Sequence, residues 1–403
     1  IRQKISLCLW KFNRMKFTNH IAIIGCGIAG LTLACALRKF NIETVIFERN
    51  AELNEYGAGI SLSKNALQIF DRLNMLENIK SNSYQPGKAV WHYRKNKFYE
   101  ISTDTFTASR QNLIRVLYNE YIKLGGEIFF NHEVSNILND GKTIEFKDLK
   151  SYVIKHLAAC DGIKSNIRKI SFSGTTNITY SGFNAWRFLG KNKNKNINFH
   201  LDSKSHIINY PIDDNLNQSV VAIIKNKTWH NESWKQESTV EEFLDVFKNQ
   251  REYLEPIIDD NQKIFKWGIF VRPFLKEIYC ENMTLFGDAA HPIVPFLGQG
   301  GCMAIEDSYT FALLLNKLDM NIPMAQKIYS KLRVVRNNKI ARMSLQQARL
   351  NHIENYYLAS LRNIIMKKTN VISSRTNYIW EYDAHVQVER ELKNYSFNKT
   401  TNI

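Results

Sequence analysis

With 403 residues, 44% of them hydrophobic and 12% aromatic, the chain can bury a large core and hold two structural units. Its formal net charge of +16 raises nucleic acid or an anionic membrane surface as partners. However, the lysines are scattered among Asn and Ile along the whole length, and no helix-turn-helix, RNA-binding or zinc-finger pattern occurs, so no nucleic acid is expected. The cysteines (Cys8, Cys26, Cys35, Cys160, Cys280, Cys302) are far apart with no C-x-x-C. That fits a reducing compartment, taken as cytoplasmic, and excludes a disulfide framework. The histidines lack metal-ligand spacing, so no metal is expected.

Residues 1–15 carry no pattern continuous with the fold and are expected to be a disordered extension. The uncharged run 21–37 has the look of a signal peptide or short membrane span, but its glycines fall at strand-turn-helix spacing. We therefore expect a strand at 20–24, a helix at 28–40 and a strand at 44–48, a βαβ start. Helices are expected at 66–76 and 113–124. Strands are expected at 127–130, 135–138, 143–146 and 153–159, with a hairpin at Asn139-Asp140-Gly141. From 171 to 268 short β-like runs (206–210, 220–224) alternate with polar loops, followed by a helix at 240–247. Helical spacing returns at 304–318 and dominates 324–367, where Leu350, Ile353, Tyr357 and Leu361 are expected to line one face as core or docking surface.

The fold class expected is α/β. A Rossmann-like nucleotide-binding domain occupies 16–170 and 269–345, an antiparallel β-sheet substrate domain is inserted at 171–268, and a C-terminal helical segment and tail fill 346–403.

Two segments carry nucleotide chemistry. Gly25-Cys26-Gly27-Ile28-Ala29-Gly30 is a complete G-x-G-x-x-G that follows a strand and opens a helix. Its glycines permit the tight turn and the close approach of a pyrophosphate to the helix N-terminus. Glu48, at the end of the next strand, is placed to accept ribose hydroxyl hydrogen bonds, which favours an unphosphorylated adenosine ribose as in FAD or NAD. Far downstream, an apolar run (Met283, Leu285, Phe286) ends in Gly287-Asp288. A loop broken by Pro292 and Pro295 follows, then Gly298, Gly300 and Gly301 opening a second helix. A carboxylate, a kinked loop and a glycine-rich helix start suit a ribose and the electron-rich end of a flavin.

Taken together, the pattern resembles the single-component FAD-dependent aromatic monooxygenases, in the salicylate-hydroxylase-like branch with zeaxanthin-epoxidase-like enzymes nearby. Glu48-Arg49 after the glycine motif resembles the family's ADP-binding start. Gly57-Ala58-Gly59-Ile60 through Asn65-Ala66 looks like its flavin-side loop and helix, although Lys64 stands where proline is common. Arg110 resembles the arginine that reaches the FAD phosphates or ribose. Cys160-Asp161-Gly162 through Arg168 is similar to the D-G motif, associated with both FAD and NAD(P)H. Gly287-Asp288-Ala289-Ala290-His291-Pro292, continued by Gly298-Gln299-Gly300-Gly301 and Glu306-Asp307, matches the G-D motif. Arg333, Arg336 and Tyr382-Asp383-Ala384 look like the C-terminal helix and tail.

The resemblance implies that NADH or NADPH reduces FAD and that O₂ then forms a flavin C4a-hydroperoxide, which hydroxylates a small aromatic substrate. Asp288 is expected to hold ribityl or ribose hydroxyls, and backbone N–H groups at 297–301 to stabilise negative charge on the reduced flavin. Pro295 would shape the wall where oxygen is activated. Asp161 is either functional or fold-organising, and His291 either catalytic or a turn residue. Arg187, His206 and Tyr210, on strands of the inserted unit, are each read as structural or as facing the flavin. There an arginine would pair with a substrate carboxylate and a tyrosine or histidine would help deprotonate a phenol.

Other readings remain. One is a lipid-like or quinone-precursor substrate; another is a non-catalytic flavin-binding redox interaction protein. A halogenase is disfavoured because no W-x-W-x-I-P occurs. Stable membrane insertion is not expected, peripheral surface contact stays open, and the chain is expected to be a monomer or homodimer.

Overall fold

The computed structural model describes residues 15–53, 59–172, 177–227, 229, 236–259 and 263–400, without the side chains of 396–400. Of the extension expected at 1–15, residues 1–14 lie outside the described residues, as does the Gly57-Ala58 pair. The run 21–37 is strand-turn-helix: Ile21–Ile24 feeds the helix Ile28–Lys39, and Thr44–Phe47 returns beside the first strand. These join a six-stranded sheet in the order Tyr279–Cys280, Met283–Leu285, His156–Ala159, Ile21–Ile24, Thr44–Phe47, Glu127–Phe129, parallel except for its first pair. Ile21–Ile24, Thr44–Phe47 and His156–Ala159 are buried at every position, as a parallel sheet covered on both faces requires. The helix Gly300–Lys317 packs on Ile28–Lys39, and Ser308 Oγ donates to the Ala29 carbonyl at 2.8 Å across that contact.

The hairpin at Asn139-Asp140-Gly141 joins Val134–Leu138 to Thr143–Phe146, all three turn residues having positive φ (52°, 55° and 85°). The single strand expected at 153–159 is two. Ser151–Val153 belongs to a three-stranded antiparallel sheet and His156–Ala159 to the parallel one. The chain changes sheets where Ile154 N–H donates to Lys142 and Lys155 N–H to His20. Likewise the helix expected at 66–76 is split into Lys64–Arg72 and Leu76–Ser81 by Asn74, whose φ is 52°.

An eight-stranded sheet forms the second layer, in the order Gln236–Ser238, Ile264–Val271, Thr179–Lys191, Asn217–Lys225, Ser205–Pro211, Ile197–Leu201, Lys88–Tyr93, Asn96–Ser102. Its last two strands come from well before residue 171. They form a hairpin turned at Arg94 and Lys95 and join through a parallel pairing with Ile197–Leu201. Alternation along Thr179–Lys191 sorts its side chains between the faces. Trp186 and Phe188 pack against Phe243 and Phe247 of the helical cover, while Ala185 packs toward Val294 and Phe296.

The continuous stripe expected over 324–367 does not form. The helix Ile322–Asn351 ends, and Tyr356–Lys368 begins afresh at Asn355, whose side chain accepts from the Tyr357 and Leu358 N–H groups. Leu350 and Ile353 therefore lie before the break and Tyr357 and Leu361 after it, with both of the latter exposed.

Gly25 holds the first turn at φ +105°, and a Cβ there would lie 2.5 Å from the Cys160 carbonyl oxygen. Gly25→Ala is expected to lose roughly 2 kcal/mol or more of stability through backbone strain and overpacking. Urea denaturation measures it, and a loss within about 0.5 kcal/mol, as at an ordinary surface site, would contradict this account of the turn.

Candidate active site

The Ile28–Lys39 helix starts at Gly27, which gives no side-chain cap, and its first turn holds no acidic residue. A Cβ on Gly27 would meet nothing within 4 Å. The orphan N–H groups of this helix start therefore open onto empty space, as a phosphate site needs. The Gly300–Lys317 helix repeats the arrangement: Gln299 does not cap it, no acid lies in its first turn, and Gly300 faces open space. By contrast the Arg110–Lys123 helix is capped by Ser109, which accepts from Asn112 N–H at 3.0 Å.

Carboxylates surround these two donors. Glu48 accepts from the Cys26 and Asn50 N–H groups at 2.8 and 2.9 Å, so it fixes the glycine turn while still lining the cavity. Asp161 has both roles considered from sequence. One oxygen accepts from Asn166 and Ile167 N–H (2.8 and 3.2 Å) and so caps a short helix, while Oδ1 has no partner among the described residues. Burial pushes its carboxyl up from the ordinary range, only partly offset by hydrogen bonds from Ser165, Ile167 and Asn166. Asp288 is exposed to the cavity, as is Arg49, and Arg110 also lines it.

The loop after Asp288 is held from three sides. Arg168, almost fully buried, donates to the carbonyls of Ala289, Ala290 and Pro273 at 3.0–3.1 Å and so ties the D-G motif to the G-D turn. Ser344 Oγ donates to the Val294 carbonyl at 2.6 Å. A short 3₁₀ turn, Pro295–Leu297, ends at Gly298 with φ +63°, bringing Pro295 and Gly298 to the cavity wall.

Behind the loop lies a fully buried ionic cluster. Glu306 accepts from Arg333 (2.7 Å), from Arg336 through two nitrogens (2.6 and 2.7 Å) and from Asn65 (2.6 Å). Asp307 accepts from Arg333 (2.6 Å), Asn337 (3.1 Å) and the Gly287 N–H (3.0 Å), and forms a short bond with His291 Nε2. Burial opposes ionisation of Asp307, but the neighbouring His291 and Arg333 outweigh it and hold its carboxyl well below the ordinary range. His291 is therefore turned into this cluster and is not among the residues lining the cavity. Sequence reasoning placed Arg333, Arg336, Glu306 and Asp307 in motifs without seeing that they form one unit, and it missed Arg168 as the link between motifs. The acid pair in a helix and two arginines three residues apart in the next were the available signal.

One cavity of about 1780 Å³ joins the two glycine-rich helix starts and their carboxylates to the eight-stranded sheet. Gly25, Gly27, Ile28, Ala29, Glu48, Gly59, Gly300 and Gly301 line one part; Trp91, Ile101, Leu189, Phe199, Ile208, Phe265 and Trp267 line the apolar part. Arg187 and Tyr210 lie in that apolar part, with the Arg187 guanidinium 5.2 Å from the Trp267 ring centre. Burial pushes the Tyr210 phenol up, partly offset by Ser219 and Arg187. His206 does not reach the cavity; it is fully buried and bonded to His352 at 3.0 Å. Gly30 and Gly287 serve close packing instead: a Cβ on Gly30 would lie 2.0 Å from the Gly25 carbonyl oxygen, and one on Gly287 3.1 Å from Ala304.

Residues 18–320 match the model described as FAD binding domain. The chain belongs to that family. It is similar to 3-amino-4-hydroxybenzoate 2-monooxygenase of Streptomyces platensis, with 28% identity over 384 residues, 90% of this chain and 95% of that protein. It is also similar to 3-hydroxybenzoate 6-hydroxylase of Polaromonas naphthalenivorans (strain CJ2), with 25% identity over 357 residues, 83% and 88% of the two chains. Its fold is like that of a salicylate hydroxylase substrate complex, with TM-score 0.78 and 22% identity over 93% of this chain and 98% of that one. The α/β, Rossmann-like fold expected from sequence is thereby shown, and the protein is an FAD-dependent monooxygenase. Its residues fit FAD: two uncapped helix starts, open space at Gly27 and Gly300, and Asp161 Oδ1 in the wall without a partner among the described residues.

Gly27→Ala introduces no clash, so unfolding of the FAD-free protein should change by less than about 0.5 kcal/mol. Retained FAD, read from visible absorbance, should fall because the Cβ enters the phosphate space; unchanged occupancy would remove Gly27 from the site. Asp307→Asn should cost about 3–5 kcal/mol at neutral pH by breaking a buried pair. Because the folded carboxyl is depressed, its contribution is complete above the unfolded value near pH 4 and is lost as pH falls through the folded value. Urea melts should therefore show the gap between wild type and variant shrinking below about pH 4; a gap independent of pH would contradict the assignment.

Proposed function

We propose that this protein uses NADH or NADPH and O₂ to hydroxylate a small aromatic substrate bearing a carboxylate or phenol, by the flavin chemistry set out from sequence. The observation carrying this reading is the apolar cavity continuous with the FAD site, to which the sheet contributes Arg187 and Tyr210 on its central strands and Glu237 on its edge strand. The names of the two relatives specify hydroxybenzoates, which agrees with an arginine in an apolar wall.

When bound, FAD supplies electron transfer from the nicotinamide and activation of O₂. The chain supplies placement and shielding. Asp288 and Glu48 accept hydroxyl hydrogen bonds, Arg110 and Arg49 balance phosphate charge, and the Gly300–Lys317 helix start stabilises negative charge on the reduced ring. Pro295, Trp267, Phe265 and Leu189 exclude water, which would divert reduced flavin to hydrogen peroxide. Arg187 pairs with the substrate carboxylate and Tyr210 holds its ring hydroxyl. His291 acts through Asp307 as a positioning residue for the G-D turn.

The cavity reaches on to Leu358 and Ile365, which favours, as a second reading, a substrate with a longer apolar portion such as a quinone precursor. A screen recording NADH and NADPH oxidation, product and peroxide together separates the two. Stimulated oxidation with stoichiometric hydroxylated product supports the first reading for benzoates and the second for alkylated rings; peroxide alone with every ring overturns both. With a carboxylated substrate, Arg187→Leu should raise KM about 10- to 100-fold, the equivalent of a charge-assisted hydrogen bond, with a smaller change in kcat. An unchanged KM would exclude Arg187 from the carboxylate.

A further inference from the structure

The helix Tyr356–Lys368 is built the wrong way round for a water-facing element. Its buried residues are Ala359 and Arg362, and the Arg362 guanidinium donates inward to the Leu350 carbonyl at 2.7 Å. Its apolar side chains face outward instead: Tyr357 is 80% exposed, Leu358 57%, Leu361 51%, Ile364 51% and Ile365 43%. Exposed Val371 opens the next helix, Val371–Trp380, and extends the same apolar surface. A contiguous patch of this kind marks an interaction surface rather than scattered surface apolarity.

Charge narrows the occupant. Besides the buried Arg362, residues 339–380 contain the basic groups Lys339, Arg342, Arg349, Lys367, Lys368 and Arg375 and a single acid, Glu354. Lys367 and Lys368 end the exposed helix, and Lys339 sits 3.6 Å above the ring of exposed Tyr378. An isologous contact with a second copy would set this cationic face against itself. A bilayer rich in anionic lipid complements both features, taking Leu, Ile and Tyr into the acyl boundary and the lysines at the headgroups. No helix among the described residues is long and apolar enough to cross a membrane, so the contact is peripheral.

The patch also meets the catalytic cavity, since Leu358, Leu361, Ile365 and Val371 are both exposed and part of its lining. We infer that the protein docks on anionic lipid bilayers through Tyr356–Lys368 and Val371–Trp380, with the cavity mouth held at the lipid surface. Docking is read without turnover and so stands apart from the substrate assignment.

The test is cosedimentation of the FAD-loaded protein with phosphatidylcholine vesicles, alone or containing about one third phosphatidylglycerol. The expected result is binding to the anionic vesicles only, released as salt screens the basic groups. Tyr357 and Ile364 do not line the cavity. The double variant Tyr357→Asp/Ile364→Asp should weaken vesicle binding about tenfold or more, with FAD content and thermal unfolding unchanged. Lys367→Glu/Lys368→Glu should do the same through charge alone. The inference is overturned if wild type stays in the supernatant with anionic vesicles at low salt, or if both variants bind as wild type does. It is also overturned if sedimentation shows a wild-type dimer that Tyr357→Asp/Ile364→Asp abolishes, since a second copy would then cover the face.

Discussion

The arrangement of the whole site depends on one buried ionic cluster, Glu306 and Asp307 against Arg333 and Arg336. Removing four such groups from water is expensive, and an apolar cluster of equal volume would fill the space at less cost. What apolar side chains cannot do is accept hydrogen bonds. Asp307 takes the Gly287 N–H, which fixes the turn presenting Asp288, and Glu306 takes Asn65, which fixes the helix following the flavin-side strand. Arg336 also lies 3.6 Å beneath the Tyr382 ring and donates to the Ile379 carbonyl, so the C-terminal segment is bound to the same centre. Sequence segments hundreds of residues apart are held in register by a few charge-assisted bonds. His291, drawn into this cluster through Asp307, belongs to the apparatus that aims Asp288.

The cofactor half was legible because its chemistry demands particular residue types at fixed spacing. Gly25 needs positive φ, Gly30 and Gly287 need the absence of a Cβ, and Glu48 needs a carboxylate at a strand end. Each requirement leaves a local mark. The substrate half leaves none, because strand residues at alternate positions look alike whether they meet a helix layer or a cavity. Arg187 and Trp186 differ by one position and face opposite ways. The hairpin Lys88–Tyr93/Asn96–Ser102 escaped notice because its place in the eight-stranded sheet comes from a parallel pairing with a strand about a hundred residues later. Of the two readings of His206 the structural one holds: its face is set by packing against His352 and Phe296.

Donors and acceptors divide the nucleotide site between them. Two helix starts without caps offer N–H groups that, in the proposed site, would meet phosphate and the electron-rich edge of the ring. Carboxylates at Glu48, Asp161 and Asp288 would accept from hydroxyls there, and Arg49, Arg110 and Lys164 line the same cavity. A strongly basic chain thus need not signal nucleic acid, since the anions of a dinucleotide cofactor use part of the charge and the C-terminal face carries another part.

Burial limits what Tyr210 does. Ser219 Oγ accepts from the Gly59 N–H at 3.0 Å, and Ser219 is bonded in turn to Tyr210. A serine hydroxyl has one hydrogen to give and two lone pairs, so an Oγ accepting from Gly59 can still either donate to the phenol oxygen or accept from it. Burial, which pushes the phenol up, keeps the Tyr210 proton in place at neutral pH. In the proposed reaction Tyr210 is therefore not a standing base. Ring activation by this residue requires the substrate to arrive as the phenolate, or Tyr210 to pass its proton on as it receives another. The nearby Arg187 guanidinium favours the first route, because a fixed positive charge in an apolar wall stabilises the anion that Tyr210 would then hold.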